Sequence, residues 1–272
     1  MNPKRADEVR FINVAGSRVR IATRLYTVQQ PPILLINGIG ARLELWRPFS
    51  LELPDRALLM FDLPGISGFP AHDLPLGMPG LARWLIELMD SVGVEQVDLL
   101  GYSWGGLLAQ QLARDAPQRI RALILASTNF GIGTEPPLGI LPLPNLLPND
   151  RGDDPWKLLS AVLGGPPGER NPIGAIMNAL NPLTTPIEGN QRQLYALTGW
   201  TSLPWLHKLQ LPTLVIAGDD DPYVPKSAVE RLARSLPRAR LELVAGAGHL
   251  LPINRPGPMA YLVDDFLRQF DA

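Results

Sequence analysis

Residues 97–108 read Val-Asp-Leu-Leu-Gly-Tyr-Ser-Trp-Gly-Gly-Leu-Leu, a Gly-x-Ser-x-Gly pattern between an apolar run and an amphipathic stretch. The run 97–100 predicts a strand, and the spacing of Trp104, Leu108 and Leu112 predicts a helix. A serine in such a sharp strand-to-helix turn has its hydroxyl pushed out from the backbone, with a helix N-terminus behind it. The neighbouring glycines fit because a strained turn has no room for a Cβ on both sides of Ser103. The alternative is a glycine-rich turn with an incidental serine.

The composition excludes several classes of protein. A chain of 272 residues suits one large α/β domain, or a core domain with an insertion. A net charge of −1 with 19% charged residues gives no electrostatic footprint for nucleic acid or for an anionic membrane. Cysteine is absent, which excludes disulfides and thiolate catalysis. Residues 1–10 show no secretory signal, and no apolar run is long enough for a membrane span, so we expect a cytoplasmic protein.

Short apolar runs alternate with amphipathic stretches along most of the chain. This alternation is typical of a mostly parallel sheet covered by helices, and the fold class is therefore predicted to be α/β. We expect eight strands, at 9–14, 19–25, 33–36, 57–61, 97–100, 122–126, 213–217 and 240–244, and helices at 80–92, 104–115, 226–235 and 258–270.

The alternation stops over residues 129–205, which are rich in proline and contain no convincing strand. The segment is too long for an ordinary connection and too rich in Leu, Ile and Trp for a disordered linker. We interpret it as an inserted cap, or lid, over the carboxyl ends of the strands, where ligands bind in open α/β sheets. The core domain would then comprise residues 1–128 and 206–272.

A serine hydroxyl is a weak nucleophile at neutral pH and needs a neighbouring base. The chain has three histidines. His72 lies in a proline-rich loop, and His207 precedes a predicted strand, where an exposed or capping role is the simpler interpretation. His249 follows the last predicted strand in the flexible stretch Ala-Gly-Ala-Gly-His. We therefore predict that His249 is the base.

The base in turn needs a carboxylate that orients it, and this acid is expected after a strand between Ser103 and His249. The strand at 213–217 is followed by Gly-Asp-Asp-Asp-Pro, and three successive carboxylates cannot all be buried at low cost. Asp221 is the predicted acid and Asp219 is the alternative. At least one of the three aspartates is expected to be only part of a solvated turn.

Acyl chemistry also requires two backbone N–H donors for the oxyanion that develops on the carbonyl. Trp104 follows the serine and supplies one. The turn Asn-Gly-Ile-Gly after the strand at 33–36 should supply the other, from Ile39. The same turn is not a dinucleotide fingerprint, because Leu43 occupies the place of the third glycine. The sequence contains no His-Glu or His-x-His cluster that could hold an ion, so metal catalysis is not expected. No other cofactor is expected either.

These parts together resemble the α/β-hydrolase superfamily, and within it the intracellular medium-chain-length polyhydroxyalkanoate depolymerases. Asn37 stands where most α/β-hydrolases carry His before Gly, and this Asn-Gly-Ile-Gly form is the most discriminating piece of the resemblance. The stretches that carry it are Asn-Gly-Ile-Gly-Ala-Arg-Leu-Glu-Leu from Asn37, Gly-Tyr-Ser-Trp-Gly-Gly-Leu-Leu-Ala-Gln-Gln from Gly101, Gly-Trp-Thr-Ser-Leu-Pro-Trp-Leu-His-Lys-Leu from Gly199, and Ala-Gly-Asp-Asp-Asp-Pro from Ala217.

The resemblance implies hydrolysis of the ester bonds of a storage polyester of 3-hydroxy fatty acids, through an acyl-enzyme on serine, at the surface of cytoplasmic granules. Ser103, Asp221 and His249 match the triad of that family position by position. The similarity thins across about 130–190, where we expect the substrate to be selected.

Two other functions remain open at this point. A carboxylesterase or lipase-like enzyme for small or medium acyl esters would carry the same three residues. A catalytically inactive hydrolase fold could instead serve as a ligand receptor, although such proteins have usually lost one of the three residues. A haloalkane dehalogenase is disfavoured because position 103 is a hydroxyl. The apolar segment 138–148 is either a surface that contacts a hydrophobic polyester or the cap's own small core.

Overall fold

The computed structural model describes residues 7–24, 30–66, 77–131 and 187–271 of the chain. Leu25, His72, the apolar segment 138–148 and most of the proposed cap therefore lie outside the described residues. Eight strands form one sheet in the order β1-β2-β4-β3-β5-β6-β7-β8. They are β1 (Glu8–Val14), β2 (Ser17–Arg24), β3 (Ile33–Ile36), β4 (Leu58–Phe61), β5 (Val97–Tyr102), β6 (Ile120–Ala126), β7 (Thr213–Gly218) and β8 (Ala239–Val244).

The sheet is antiparallel at one edge and parallel elsewhere. Strands β1 and β2 form a hairpin whose two-residue turn, Ala15-Gly16, has φ values of 49° and 79°, and β2 pairs antiparallel with β4. Both positive φ values match the twist that a two-residue hairpin requires. All the other pairs, from β4–β3 to β7–β8, are parallel. The prediction of a mostly parallel eight-stranded sheet is confirmed.

Seven α-helices are present among the described residues. They are α1 (Arg47–Leu51), α2 (Met78–Ser91), α3 (Trp104–Asp115), α4 (Ile187–Ala196), α5 (Lys226–Ser235), α6 (Leu251–Asn254) and α7 (Pro256–Arg268). The predicted helices at 104–115 and 226–235 have the predicted bounds. The other two begin two residues earlier than predicted, each with a proline in the first turn, where the missing N–H costs nothing. The predictions omitted α1 and α6, which are too short to show a helical period.

The core lies on both faces of the sheet. Helices α2, α3 and α5 pack on one face, and α1, α6 and α7 pack on the other. Successive strand residues alternate between the two layers, as Leu34 and Leu35 of β3 do, and both are fully buried. Because both faces are covered, the central strands are apolar throughout, and this explains why their sequences do not alternate in polarity. No helix among the described residues is long and apolar enough to cross a membrane.

A buried ion-pair network lies near the amino ends of the parallel strands. Arg121 of β6 donates to both carboxylate oxygens of Asp98 on β5, over 2.8 and 2.6 Å. It also lies 3.0 Å from the carboxylate of Asp271, and Arg56 lies 2.7 Å from the other oxygen of Asp271. The side chain of Asp98 has no exposed surface. Burial raises the pKa of the Asp98 carboxyl, and its ionised form therefore depends on the guanidinium of Arg121.

We expect Arg121→Met to lower the free energy of unfolding by about 3–5 kcal/mol, because it leaves a buried carboxylate without its partner. The measurement is urea unfolding at neutral pH. Arg240→Met is the matched control. Arg240 is 40% exposed and its partners Asp265 and Glu242 are 42% and 31% exposed, and each such pair contributes less than about 1 kcal/mol. Equal destabilisation by the two substitutions would contradict this interpretation.

Candidate active site

Ser103 lies between the last residue of β5 and the first residue of α3, at the carboxyl edge of the sheet. Its φ and ψ are 53° and −120°, a conformation that L-residues rarely adopt. Such a backbone costs about 1–3 kcal/mol and persists only where the surroundings impose it. The N–H of Ser103 donates to Ala126 O over 2.9 Å, and its carbonyl accepts from the Thr128 hydroxyl over 2.8 Å. Bonds to Ala126, the last residue of β6, and to Thr128, just after that strand, therefore fix the backbone of this turn.

The glycines around Ser103 are required by close approach of the backbone. A Cβ on Gly101 would lie 2.7 Å from the Cβ of Ala109 and would overlap the carbonyl of Gly105. A Cβ on Gly105 would overlap the carbonyls of Ile36 and Asn37. Helix α3 therefore packs against β5 and the end of β3 at a distance that only glycine permits. The predicted interpretation of the Gly-x-Ser-x-Gly pattern as a strained turn agrees with this geometry.

His249 lies in the loop between β8 and α6, and its Nε2 is 3.0 Å from Ser103 Oγ. The imidazole is 8% exposed and contacts the rings of Tyr102 and Tyr223, with centroids 5.5 and 5.4 Å away. Burial and, secondarily, the charge of Asp221 raise the pKa of the Tyr102 hydroxyl well above its usual value, so this neighbour stays neutral. His207 is exposed on the 3₁₀ turn Leu206–Lys208 and takes no part in the cluster.

Asp221 is the carboxylate that contacts His249. Its Oδ2 is 2.8 Å from His249 Nδ1, and its side chain has no exposed surface. The other oxygen, Oδ1, accepts from the N–H groups of Tyr223 and Val224 over 2.8 and 3.0 Å. Two backbone donors and one imidazole thus satisfy the buried charge and fix the direction of the carboxylate.

The structure distinguishes the predicted acid, Asp221, from the alternative, Asp219. Asp219 is exposed, and its Oδ1 accepts from Gly246 N–H over 2.7 Å, away from His249. Asp220 is also exposed, whereas Asp221 is buried. The expectation that the three carboxylates would not all be buried is therefore confirmed.

The three side chains form a linear chain of hydrogen bonds. A carboxylate can only accept, so Nδ1 of His249 carries the proton in its contact with Asp221. Nε2 then presents its lone pair to Ser103 and can accept the hydroxyl proton. Such an arrangement can generate a serine nucleophile and stabilise the imidazolium that results.

The two segments that carry the predicted backbone donors both lie beside Ser103. Residues 38–41 form a turn closed by Ala41 N–H donating to Gly38 O over 3.2 Å. A Cβ on Gly38 would lie 3.4 Å from the Cβ of Ser103, so this turn covers the serine. Trp104 is the first residue of α3, and its N–H has no partner within the helix. Among the described residues, neither Ile39 N–H nor Trp104 N–H donates to a protein acceptor.

Asn37, the residue that stands in place of histidine, is buried beside this turn with 7% of its surface exposed. Neither its Oδ1 nor its Nδ2 has a hydrogen-bond partner among the described residues. The described residues also contain no group of three His, Asp or Glu side chains that could hold a metal ion.

Gln193, which lies on α4, makes two contacts with the site that the sequence analysis did not predict. Its side-chain Oε1 accepts from Gly40 N–H over 2.9 Å, and its main-chain carbonyl accepts from Trp104 Nε1 over 2.9 Å. A single glutamine in an amphipathic helix carries no signal that could have predicted these contacts, which join residues 153 and 89 positions apart.

The four segments of the site follow the carboxyl ends of four parallel strands, β3, β5, β7 and β8, as ligand sites of open α/β sheets do. A sequence model of the Alpha/beta hydrolase family matches residues 33–260. The chain belongs to the α/β-hydrolase family, and the predicted hydrolase fold is confirmed.

Comparison with similar proteins indicates which kind of hydrolase this chain is. A poly(3-hydroxyalkanoate) depolymerase of Ectopseudomonas oleovorans is 36% identical over 96% of this chain and 92% of its own length. A pimeloyl-[acyl-carrier protein] methyl ester esterase of Aromatoleum aromaticum is 28% identical over 89% of this chain and all of its own length. The crystal structure of a hydrolase from Pseudomonas aeruginosa PA01 superposes with a TM-score of 0.82 at 27% identity, covering 95% of this chain and 98% of that one. The prediction that this chain is an ester hydrolase is confirmed.

Proposed function

We propose that this protein hydrolyses the ester bonds of medium-chain-length poly(3-hydroxyalkanoate), with Ser103 as nucleophile, His249 as general base and Asp221 as the acid that orients the base. The observation that carries the proposal is the pair of contacts on one imidazole. His249 Nε2 is 3.0 Å from Ser103 Oγ, and Nδ1 is 2.8 Å from Asp221. Both distances are within the range that proton transfer and orientation require.

In the proposed cycle His249 removes the hydroxyl proton as Ser103 Oγ attacks the ester carbonyl. The N–H groups of Ile39 and Trp104 stabilise the oxyanion. The ester C–O bond then breaks, and the departing hydroxyl end of the polymer takes the proton from His249. Water, deprotonated by the same imidazole, attacks the acyl-enzyme, releases a carboxylic acid and restores the serine.

We further propose that residues 129–205 form the cap and that residues 1–128 and 206–272 form the core domain. The ends of the segment support this division, because Gly131 bridges Thr201 and Ser202 N–H donates to Phe130 O over 2.9 Å. The chain thus leaves the core domain after Phe130 and comes back to the same place at Thr201 and Ser202, as is expected at the two ends of an insertion.

The 36% identical relative named poly(3-hydroxyalkanoate) depolymerase supports the choice of substrate, because the alignment spans nearly the whole of both chains. The proposal includes action on polyester at the surface of cytoplasmic granules. Such a substrate supplies a repeating ester linkage with an apolar side chain, and the same acyl chemistry applies at each linkage.

We expect the purified protein to clear a latex of medium-chain-length poly(3-hydroxyalkanoate) and to release 3-hydroxy fatty acids or their oligomers, because each cleavage shortens the insoluble chain. Turbidity and mass spectrometry of the soluble products measure the two effects. A short-chain polyhydroxybutyrate latex is the matched control. The short-chain latex should be cleared much more slowly. Failure to clear the medium-chain latex, with retained activity on soluble esters, would contradict the proposed substrate.

A carboxylesterase for small or medium-chain acyl esters is the second candidate. The 28% identical methyl ester esterase, which this chain matches over its entire length, supports it. Both candidates use the same three residues and differ in the acyl pocket. Hydrolysis of soluble p-nitrophenyl esters with no action on the latex is the result expected for the esterase.

A further inference from the structure

Gln193 contacts both segments that carry the proposed oxyanion donors. Its Oε1 accepts from Gly40 N–H, next to Ile39, and its main-chain carbonyl accepts from the indole of Trp104, each over 2.9 Å. Gln193 is 2% exposed, so water does not compete effectively for either bond. One residue of α4 is therefore bonded to two separate segments of the core domain.

The bond to Gly40 fixes one peptide of the turn at residues 38–41. Gly40 is the third residue of this turn and has a φ of 66°, as a type II turn requires at that position. Its N–H belongs to the central peptide, between Ile39 and Gly40, which points in opposite directions in type I and type II turns. An acceptor bonded to this N–H favours one orientation and with it the backbone angles of Ile39.

The bond to Trp104 acts on the other donor. Trp104 is 4% exposed, and its own N–H is the donor at the start of α3. Anchoring of the indole restricts the side-chain torsions of the residue whose backbone N–H must face the oxyanion. The two donors are thus held by one glutamine, one through its side chain and one through its main chain.

The chain that follows α4 is itself attached to α3, the helix that begins after Ser103. Trp200 Nε1 donates to Gln111 Oε1 over 2.7 Å, and the Ser202 hydroxyl donates to Gln110 Oε1 over 2.5 Å. Gln110 and Gln111 are both buried. These bonds give α4 a fixed attachment to the core beside the nucleophile, so Gln193 can act as a support for the turn.

We propose that Gln193 is a positioning residue that sets the geometry of the oxyanion donors Ile39 and Trp104. The rate of ester hydrolysis then depends on how α4 packs against the core domain. The inference rests on the proposed function of Ser103. Gln193 acts through Gly40 and Trp104 and does not need to touch the substrate.

A positioning role differs measurably from two simpler roles. A residue of the acyl pocket would change KM, and its effect would depend on acyl length. A residue that only stabilises the fold would lower the melting temperature and leave the turnover of the folded enzyme unchanged. A residue that positions oxyanion donors lowers kcat by the same factor for every acyl chain, because the carbonyl is common to all of them.

The test is Gln193→Met, which keeps the length of the side chain, its helix propensity and the main-chain carbonyl but removes Oε1. We expect kcat for p-nitrophenyl butyrate and p-nitrophenyl octanoate to fall by the same factor, about 10- to 100-fold. KM should stay within about threefold of the parent value. The rate at which a p-nitrophenyl alkylphosphonate labels Ser103 should fall in parallel, since that reaction also develops charge on an oxygen bound by the two donors.

Tyr195→Phe is the matched control, because Tyr195 lies on the same helix and is 60% exposed. It should leave kcat unchanged. Trp104→Phe removes the indole donor, and its combination with Gln193→Met should lower kcat by less than the product of the two separate factors. Trp104→Phe alone tests the second bond if Gln193→Met does not fold.

Unchanged kcat in both variants, or a loss confined to KM or to one acyl length, would overturn the inference and leave the proposed function intact. Hydrolysis of both esters by Ser103→Ala would instead overturn the proposed function. The two failures are therefore distinguishable in one set of assays.

Discussion

Ser103→Ala should lower kcat for p-nitrophenyl octanoate by at least about 10⁴-fold, which corresponds to about 5 kcal/mol of transition-state stabilisation. The substitution removes the oxygen that would form the acyl-enzyme, and His249 Nε2, 3.0 Å from that oxygen, would have no proton to accept. Residual rate above that in water would come from the backbone donors and from substrate binding alone. Initial rates with active-site titration of the parent enzyme by a phosphonate measure the effect.

Ser127→Ala is the control for this result. Ser127 comes directly after β6, the strand next to β5, and is fully buried. Its hydroxyl has no hydrogen-bond partner among the described residues. The same atom is removed one strand away, so kcat should stay within a fewfold of the parent value. A phosphonate that labels Ser103→Ala as fast as the parent, detected by intact mass, would show that another residue is the nucleophile.

The sequence predicted the central sheet well because burial there is complete. Runs such as 33–36 and 213–217 are apolar at every position, since helices cover both faces of the strands. The helix at 104–115 was predicted with its observed bounds because its apolar stripe begins directly after a Gly-x-Ser turn. Residues 43–51 were missed because they form a 3₁₀ turn of four residues, Leu43–Trp46, followed by the five-residue helix α1, and neither is long enough for the apolar spacing to repeat.

The positions of the polar site residues were partly predictable from topology. Parallel strands end at one edge of the sheet, so the segments after β5, β7 and β8 had to converge there. Local sequence favoured Asp221 over Asp219 but could not reveal the contacts that distinguish them, because these depend on which carboxylate accepts from Tyr223 and Val224 and which accepts from Gly246.

The contacts of Gln193 could not be predicted at all. They join α4 to residues that precede it by 153 and 89 positions, and a glutamine has no preferred partner that a pattern could reveal. Hydrogen bonds between side chains and distant backbone depend on how segments pack after the sheet has formed. This is the level of structure at which sequence periodicity carries no information.

Asp221→Asn should lower kcat by about 10⁴-fold, as a carboxamide at the equivalent place does in a serine protease. In the parent protein, Asp221 Oδ2 accepts from Nδ1 of His249, while Oδ1 accepts from two backbone N–H groups. Those two N–H groups require an oxygen, so the amide nitrogen of the asparagine would face His249. The amide donates, Nδ1 becomes the acceptor, and the ring proton moves to Nε2, where it faces Ser103 and prevents deprotonation of the hydroxyl.

Asp219→Asn is the matched control, because it makes the same change two residues away on an exposed carboxylate that accepts from Gly246 N–H. An asparagine oxygen can accept that bond equally well, so kcat should stay within about threefold of the parent value. Similar losses in both variants would mean that the turn at 219–221 acts as a whole, and a loss in Asp219→Asn alone would make Asp219 the orienting acid. The orientation of one imidazole decides between these outcomes, since only a carboxylate bonded to Nδ1 can keep the lone pair of Nε2 directed at Ser103.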